Sequence, residues 1–217
     1  MPESSHTGEA IGAPEPREFV AMIERMDAEA ALASNITVDA IGRAIDPRKL
    51  GKDDLSSLLG AISRLAAQGV DVGLSRMSPA TFARLVAHAS KDQLESIMVD
   101  SALRVAVLDE IFRRMGRHVR PDRVRDLHAV VHWRFTGGAG EGGFDRYETT
   151  ISGGACTVSK AMTERSRVTI TLSPLDFLKL ISNNASAPVL FMTGKVKVRG
   201  DLAFAAGLSG LFQLPRP

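Results

Sequence analysis

Apolar positions recur at three- and four-residue intervals through the first half of the chain and alternate with polar ones through much of the second. The first spacing predicts helices with one buried face, the second half-buried strands. Phe19, Met22, Ile23 and Met26 mark a first helix, broken at Ser34-Asn35. Thr37 is placed to cap a short helix reaching Ile45, and Asp46-Pro47 to turn the chain. Asp53 or Asp54 opens a helix with the stripe Leu55, Leu58, Leu59, Ile62 and Leu65, ended by Gly69. Ser78-Pro79 supplies a cap and a proline at the first helical position, ahead of Phe82, Leu85 and Val86. Ser90 caps a helix with Leu94, Ile97 and Met98. Ser101 begins a longer one, carrying Leu103, Val107, Leu108, Ile111, Phe112 and Met115 to Gly116.

Beyond that point the period changes. Ala129, Val131, Trp133 and Phe135 face one way, with His132 and Arg134 facing the other, which reads as a strand. Residues 136–143 form a Gly-rich loop, 144–151 a second strand and Ser152-Gly-Gly154 a tight turn into a third strand over 156–160. Residues 167–172 give a fourth strand with Val168, Ile170 and Leu172 inward. Ser173-Pro174 starts a helix carrying Phe177, Leu178 and Ile181, which Asn183-Asn184 stops. Residues 187–192 are apolar and of open shape. Residues 195–199 make a fifth strand, Asp201 caps, and a last helix runs to about Phe212. Residues 1–16, with Pro2, Pro14 and Pro16, read as a disordered tail.

Charge divides at the same place. Residues 1–117 hold 14 basic and 17 acidic side chains, residues 118–217 hold 13 and 8, and the whole 217-residue chain carries a net +2. A total so close to zero argues against a whole-chain nucleic-acid binder. One cysteine, Cys156, excludes an intramolecular disulfide and a thiolate metal cluster. No apolar run approaches the ~20 residues that span a bilayer. The N-terminus lacks the apolar stretch of a secretory signal, and the Leu-Pro-Arg-Pro end is not a peroxisomal address. The expectation is a soluble cytoplasmic protein. Aromatics are 5% of residues, yet nine of the eleven are Phe, and four of these, Phe177, Phe191, Phe204 and Phe212, fall in the last 41 positions.

Motifs for chemistry are few. Gly138 to Gly143 spells G-x-G-x-x-G, but strands flank it on both sides where a dinucleotide site needs a strand before and a helix after. It reads as a hairpin loop. His128 and His132 lie on a strand, roughly 13 Å apart at ~3.3 Å per residue, too far to share one metal ion. Cys156 has no base selected by spacing and reads as a small buried apolar residue. No catalytic, metal or cofactor site is therefore assigned. Six arginines between Arg113 and Arg125 form the densest basic stretch, which suits either a helix end with a solvated linker or contact with a phosphate or anionic headgroup.

The order of elements in the second half carries a resemblance. Thr169-Ile-Thr-Leu172 precedes a helix. The run from Phe191 to Gly200 then reads Phe-x-x-Gly-Lys-hydrophobic-Lys-hydrophobic-x-Gly and leads into a terminal helix ending Leu211-Phe212. Over about residues 100–217 this resembles the sterol carrier protein family, the non-specific lipid-transfer domain. The resemblance implies an α+β fold. A five-stranded, mostly antiparallel mixed sheet is covered by helices that enclose an apolar tunnel, and an all-helical region over 17–99 precedes it without counterpart in the minimal domain. It implies tunnel-lining residues Val131, Trp133, Phe177, Ile181, Leu190, Phe191, Met192, Phe204, Leu208 and Phe212. Arg120, Arg123 and Arg125 are headgroup candidates.

The function expected is non-catalytic carriage of a hydrophobic ligand: fatty acid, acyl-CoA, phospholipid or sterol. No cofactor or nucleic acid is implied, and at most transient contact with a membrane surface. The alternative is a protein-interaction module, with the helices over 17–99 as the partner surface on a carrier-like scaffold. A third reading is an enzyme acting on a hydrophobic substrate in the same cavity.

Overall fold

The computed structural model describes residues 14–182 and 184–213. The tail expected over 1–16 and the helix stop at Asn183 therefore fall largely outside the described residues. Seven helices come first: α1 Pro16–Arg25, α2 Ala28–Ala33, α3 Val38–Ala44, α4 Asp54–Ala67, α5 Pro79–His88, α6 Lys91–Val99 and α7 Ser101–Arg117. A short α8, Pro121–Val124, leads into β1 Ala129–Thr136, β2 Phe144–Ser152, β3 Ala155–Ser159 and β4 Val168–Leu172. Then come α9 Pro174–Ile181, α10 Ala187–Met192, β5 Val196–Gly200 and α11 Leu202–Gly207, the last running into a 3-10 turn over Leu208–Leu211.

Several helix starts follow from their capping residues. The Thr37 hydroxyl accepts from the Ala40 N–H at 3.1 Å, and Ser78 and Ser90 do the same for Thr81 and Gln93, both at 3.2 Å. Gln93 returns the favour to the Ser90 N–H at 2.8 Å, completing a capping box. The helix expected from residue 17 to 33 is instead two. Asp27 accepts from the Ala30 N–H at 2.8 Å and caps a new helix, while Arg64 of α4 donates to the carbonyls of Glu24 and Met26 that the break exposes. Residues 118–125, read as a possible solvated linker, contain the short helix α8. The apolar segment of open shape is α10.

The sheet order is β3-β2-β1-β4-β5, with β1 and β4 parallel and all other neighbours antiparallel. Register puts Trp133 beside Tyr147 and Ile170 on one face, and His132 beside Glu148 and Thr169 on the other. The first face lies under α7, α9 and the C-terminal helices. The second is polar. There the buried Glu148 carboxylate accepts from His132 Nε2 at 3.1 Å and from the Glu164 N–H at 3.0 Å, pinning the β3–β4 crossover to the sheet.

The helical half is not a separate ball. One continuous buried cluster runs from Val20 through Leu108 and Phe112 to Phe212. Helix α7 joins the two sides. Its buried Arg114 pairs with Glu110 and donates to the carbonyls of Leu74 and Met77 at 3.1 and 2.6 Å, with its guanidinium 4.6 Å from the Phe82 ring centroid. At the same end of α7, a Cβ on Gly116 would stand 3.1 Å from the Cys156 carbonyl oxygen of β3, a tight approach that glycine relieves.

Gly200, at the end of β5, has φ +105°, and a Cβ there would lie 2.4 Å from the Arg167 carbonyl oxygen. Gly200→Ala is therefore expected to cost about 2 kcal/mol or more. Thermal unfolding should show a midpoint lower by roughly 4–8 °C.

Candidate functional site

The inner face of the sheet is walled by rings. Phe112 of α7 stacks on Tyr147 with centroids 4.1 Å apart and planes 5° from parallel. It meets Trp133 and Phe135 edge-on at 5.7 and 5.8 Å, and Phe177 of α9 at 5.7 Å. Aromatic pairs at such separations gain beyond their buried area. The polar atoms of the cluster have partners at its margin. Trp133 Nε1 donates to Thr149 Oγ1 at 3.2 Å, and Tyr147 donates its phenolic proton to Asp109 at 2.5 Å. Lys160 reaches the same carboxylate at 2.6 Å. Burial, then the bond to Asp109, pushes the Tyr147 phenol far above its ordinary pKa, so it remains a donor. Arg104 and Asp145 form a nearly buried pair alongside, at 2.9 Å.

Toward β4 and β5 the walls are aliphatic. Leu190 of α10, Leu208 and Phe212 are buried with Val131, Val168, Ile170 and Leu172 of the sheet. Phe212 is held by a short β-bridge to Val119, flanked by bonds from the Arg120 N–H to Leu211 at 2.8 Å and from the Gln213 N–H to His118 at 2.7 Å. Phe204 of α11 lies under the Arg167 guanidinium, 4.4 Å from its centroid, and Arg167 also pairs with Asp201 at 2.8 Å. Asp201 caps α11 through the Phe204 N–H at 2.8 Å; that bond first, and Arg167 second, hold its carboxyl below the usual range.

The residues proposed from the sequence thus separate. Val131, Trp133, Phe177, Leu190, Leu208 and Phe212 are buried on the inner side, and Ile181 and Phe204 are half-buried against the same core. Phe191 and Met192 are 44% and 85% exposed. Of the arginines, Arg120 is half-buried, with its Nε enclosed and without a partner among the described residues, while Arg123 and Arg125 lie in solvent. Phe112, Phe135 and Tyr147 belong to the ring cluster but were not among the candidates. Alternation across 144–151 could have placed Tyr147 inward. Nothing in the helical stripe of α7 singles out Phe112 from its other apolar members.

An apolar cavity of about 40 Å³ lies outside the sheet, between the helical half and the sheet-bearing half, among Leu59, Met77, Phe82, Leu94, Met98 and Leu178. Cys156 is buried on the inner face, and burial pushes its thiol up to about 11. Among the described residues no cluster of His, Cys, Asp or Glu could hold a metal ion, and no helix is long and apolar enough to cross a membrane.

The helix α7, the five strands and the α9-to-Phe212 segment are together the region that comparison picks out. Residues 108–213 match the SCP-2 sterol transfer family. The match starts within α7, just before Phe112, and ends where Gln213 pairs with His118, so it covers the sheet and its helical cover. A curated relative, an oleate-induced peroxisomal protein of Candida maltosa, is 38% identical over 52 residues. That stretch is 23% of this chain and 41% of the relative, so the chain spans about two fifths of its length. Apo sterol carrier protein 2 of Yarrowia lipolytica shares 23% identity at a TM-score of 0.40, covering 54% of this chain and 94% of that one. A sec-alkylsulfatase from Pseudomonas sp. shares 15% at a TM-score of 0.43, covering 96% of this chain and 34% of that one.

Phe112→Ala should cost about 3–5 kcal/mol, as a central ring removed from a filled core, whereas Phe191→Ala should stay within about 0.5 kcal/mol; denaturant titration of both checks the contrast. Cys156 supplies a pH test. The folded chain keeps a thiol proton that the unfolded chain releases near its ordinary 9.0. Its contribution is whole below that pH and is lost as the pH rises towards about 11. Cys156→Ala should flatten the alkaline fall in stability over that window.

Proposed function

We propose that the chain binds and carries a hydrophobic small molecule, of the class of fatty acids, acyl-CoA, phospholipids and sterols, without transforming it. The observation that carries this reading is the SCP-2 family match over the residues whose apolar side chains wall the inner face of the sheet. The ligand would sit where that face meets α9, α10 and the C-terminal turn. Val131, Trp133, Phe177, Leu190, Leu208 and Phe212 would line the tunnel, with Ile181 and Phe204 at its margin. Phe191 and Met192 are not part of this lining. Each methylene taken out of water there contributes about 0.8 kcal/mol. Arg120, with its enclosed Nε, is the headgroup candidate that the reading retains. The inertness of Cys156 accords with carriage: its thiol is held protonated by burial, and a thiolate is the form that reacts.

The helices over 17–99 enter this proposal as a support for α9 rather than a surface for a protein partner. Leu178 faces them across the small apolar cavity, while its neighbour Phe177 faces the sheet. A cytoplasmic site of action, as expected from the sequence, belongs to the same proposal.

Native mass spectrometry of gently purified protein should reveal a co-purified lipid, and delipidated protein should take up a fluorescent fatty acid. Leu208→Trp, which overfills the space beneath the C-terminal turn, should weaken that uptake roughly tenfold. Absence of both bound lipid and uptake would remove the carrier reading.

A further inference from the structure

Helix α10 is six residues long and buries only Leu190. Val189, Phe191 and Met192 project from it at 56%, 44% and 85% exposure, and Leu202, just past β5, is 51% exposed. These are four of the seven large apolar side chains recorded as exposed among the described residues, gathered within 14 positions. Scattered apolar side chains on a surface need no explanation, whereas a contiguous group does.

The charge along this stretch is predominantly positive, its carboxylate, Asp201, being paired with Arg167 at 2.8 Å. Ser186 to Gly200 contains Lys195, Lys197 and Arg199 and no carboxylate, and all three cations are exposed. Lys197 and Arg199 lie on the outer, polar face of the sheet at its β5 edge. Register continues the row inward: Lys197 stands beside Thr171, Thr171 beside Arg134, and Arg134 beside Arg146. Like charges directly opposite on neighbouring strands are unfavourable. Here Arg146 is relieved by Glu141 at 2.9 Å, and the Nε of Arg134 has no partner among the described residues. Lysines on an edge strand also discourage strand pairing between chains, but that role calls for no apolar tip beside them.

We propose that α10 and the β5 edge form a docking surface for a bilayer containing anionic phospholipid. Val189, Phe191, Met192 and Leu202 enter the interfacial layer while Lys195, Lys197, Arg199 and, behind them, Arg134 meet headgroup phosphates. Apolar side chains exposed on a short helix, followed in the chain by a strand bearing exposed cations, suit a fluid interface. The charge complementarity selects an anionic surface. This rests on the carrier reading for its purpose: Leu190 of the same helix is buried in the core that would hold the cargo, so docking through α10 brings the rim of that core to the membrane. The geometry of the patch does not depend on that reading.

The test is sedimentation of the full chain with vesicles of phosphatidylcholine alone or of equimolar phosphatidylcholine and phosphatidylglycerol, over a salt series. Binding should favour the anionic vesicles at least tenfold and weaken with salt. Lys197→Glu with Arg199→Glu should lower it roughly thirtyfold, counting each cation lost at the surface, and Val189→Asp about tenfold. Both variants should keep the thermal midpoint and the fatty-acid affinity of the parent. Equal binding to the two vesicle types, no binding, or parent-like binding by both variants would overturn the proposal. So would tight capture by soluble polyglutamate with the same variant pattern and no vesicle binding, which would assign the surface to an acidic protein. Should delipidated protein take up no fatty acid while vesicle binding follows the expected pattern, the carrier reading falls and the docking surface stands.

Discussion

The packing of one ring, Phe112, against the inner face of the sheet is the contact on which the rest of the molecule depends. It stacks on Tyr147, meets Trp133 and Phe135 edge-on, and receives Phe177 from above. Those rings come from β1, β2 and α9, so a single side chain of α7 fixes the height of the helical cover above the sheet. Interiors packed at crystalline density transmit such a constraint rather than absorb it. The aromatic bias in composition is thereby explained differently from a uniform lipid lining. Phe112, Phe135 and Phe177 fill the core, Phe212 closes one end, and Phe191 faces out.

The same helix ties the sheet-bearing half to the helices before it. Arg114 and Glu110 are buried charges, which persist only when paired and hydrogen-bonded. Arg114 meets that condition by bonding carbonyls of Leu74 and Met77 in the helical half. The two halves therefore share a polar staple as well as an apolar core. The polar face of the sheet is organised by another buried carboxylate, Glu148, which holds the β3–β4 crossover. Its cationic rim remains turned to solvent beside α10. One face thus serves packing, and the opposite face is left turned to solvent.

Much of the architecture was legible in residue order. All five strands, and the helix starts at Thr37, Ser78, Ser90 and Ser173, follow from alternation and capping chemistry, both of which act over four or five residues. The break at Met26–Asp27 was not legible. The stripe Phe19, Met22, Ile23, Met26 is continuous, and the break is stabilised by Arg64, some forty positions away. Helix α10 escaped for a related reason: a six-residue apolar run has no periodicity long enough to read. Of the candidate lining, the inward members of β1 followed from alternation. Phe191 and Met192 were carried over by motif position alone, and their orientation depends on how α10 rolls against β5.

The sequence by itself determined most of the element types, the α+β division near residue 117 and the resemblance carried by the C-terminal motif, because capping, alternation and glycine placement are short-range. Only the tertiary structure decided which apolar residues look inward, that Phe112 rather than the C-terminal phenylalanines centres the core, and that the two halves share it. Those outcomes depend on strand register and helix roll. Both are set by contacts between residues distant in the chain, which no local pattern encodes.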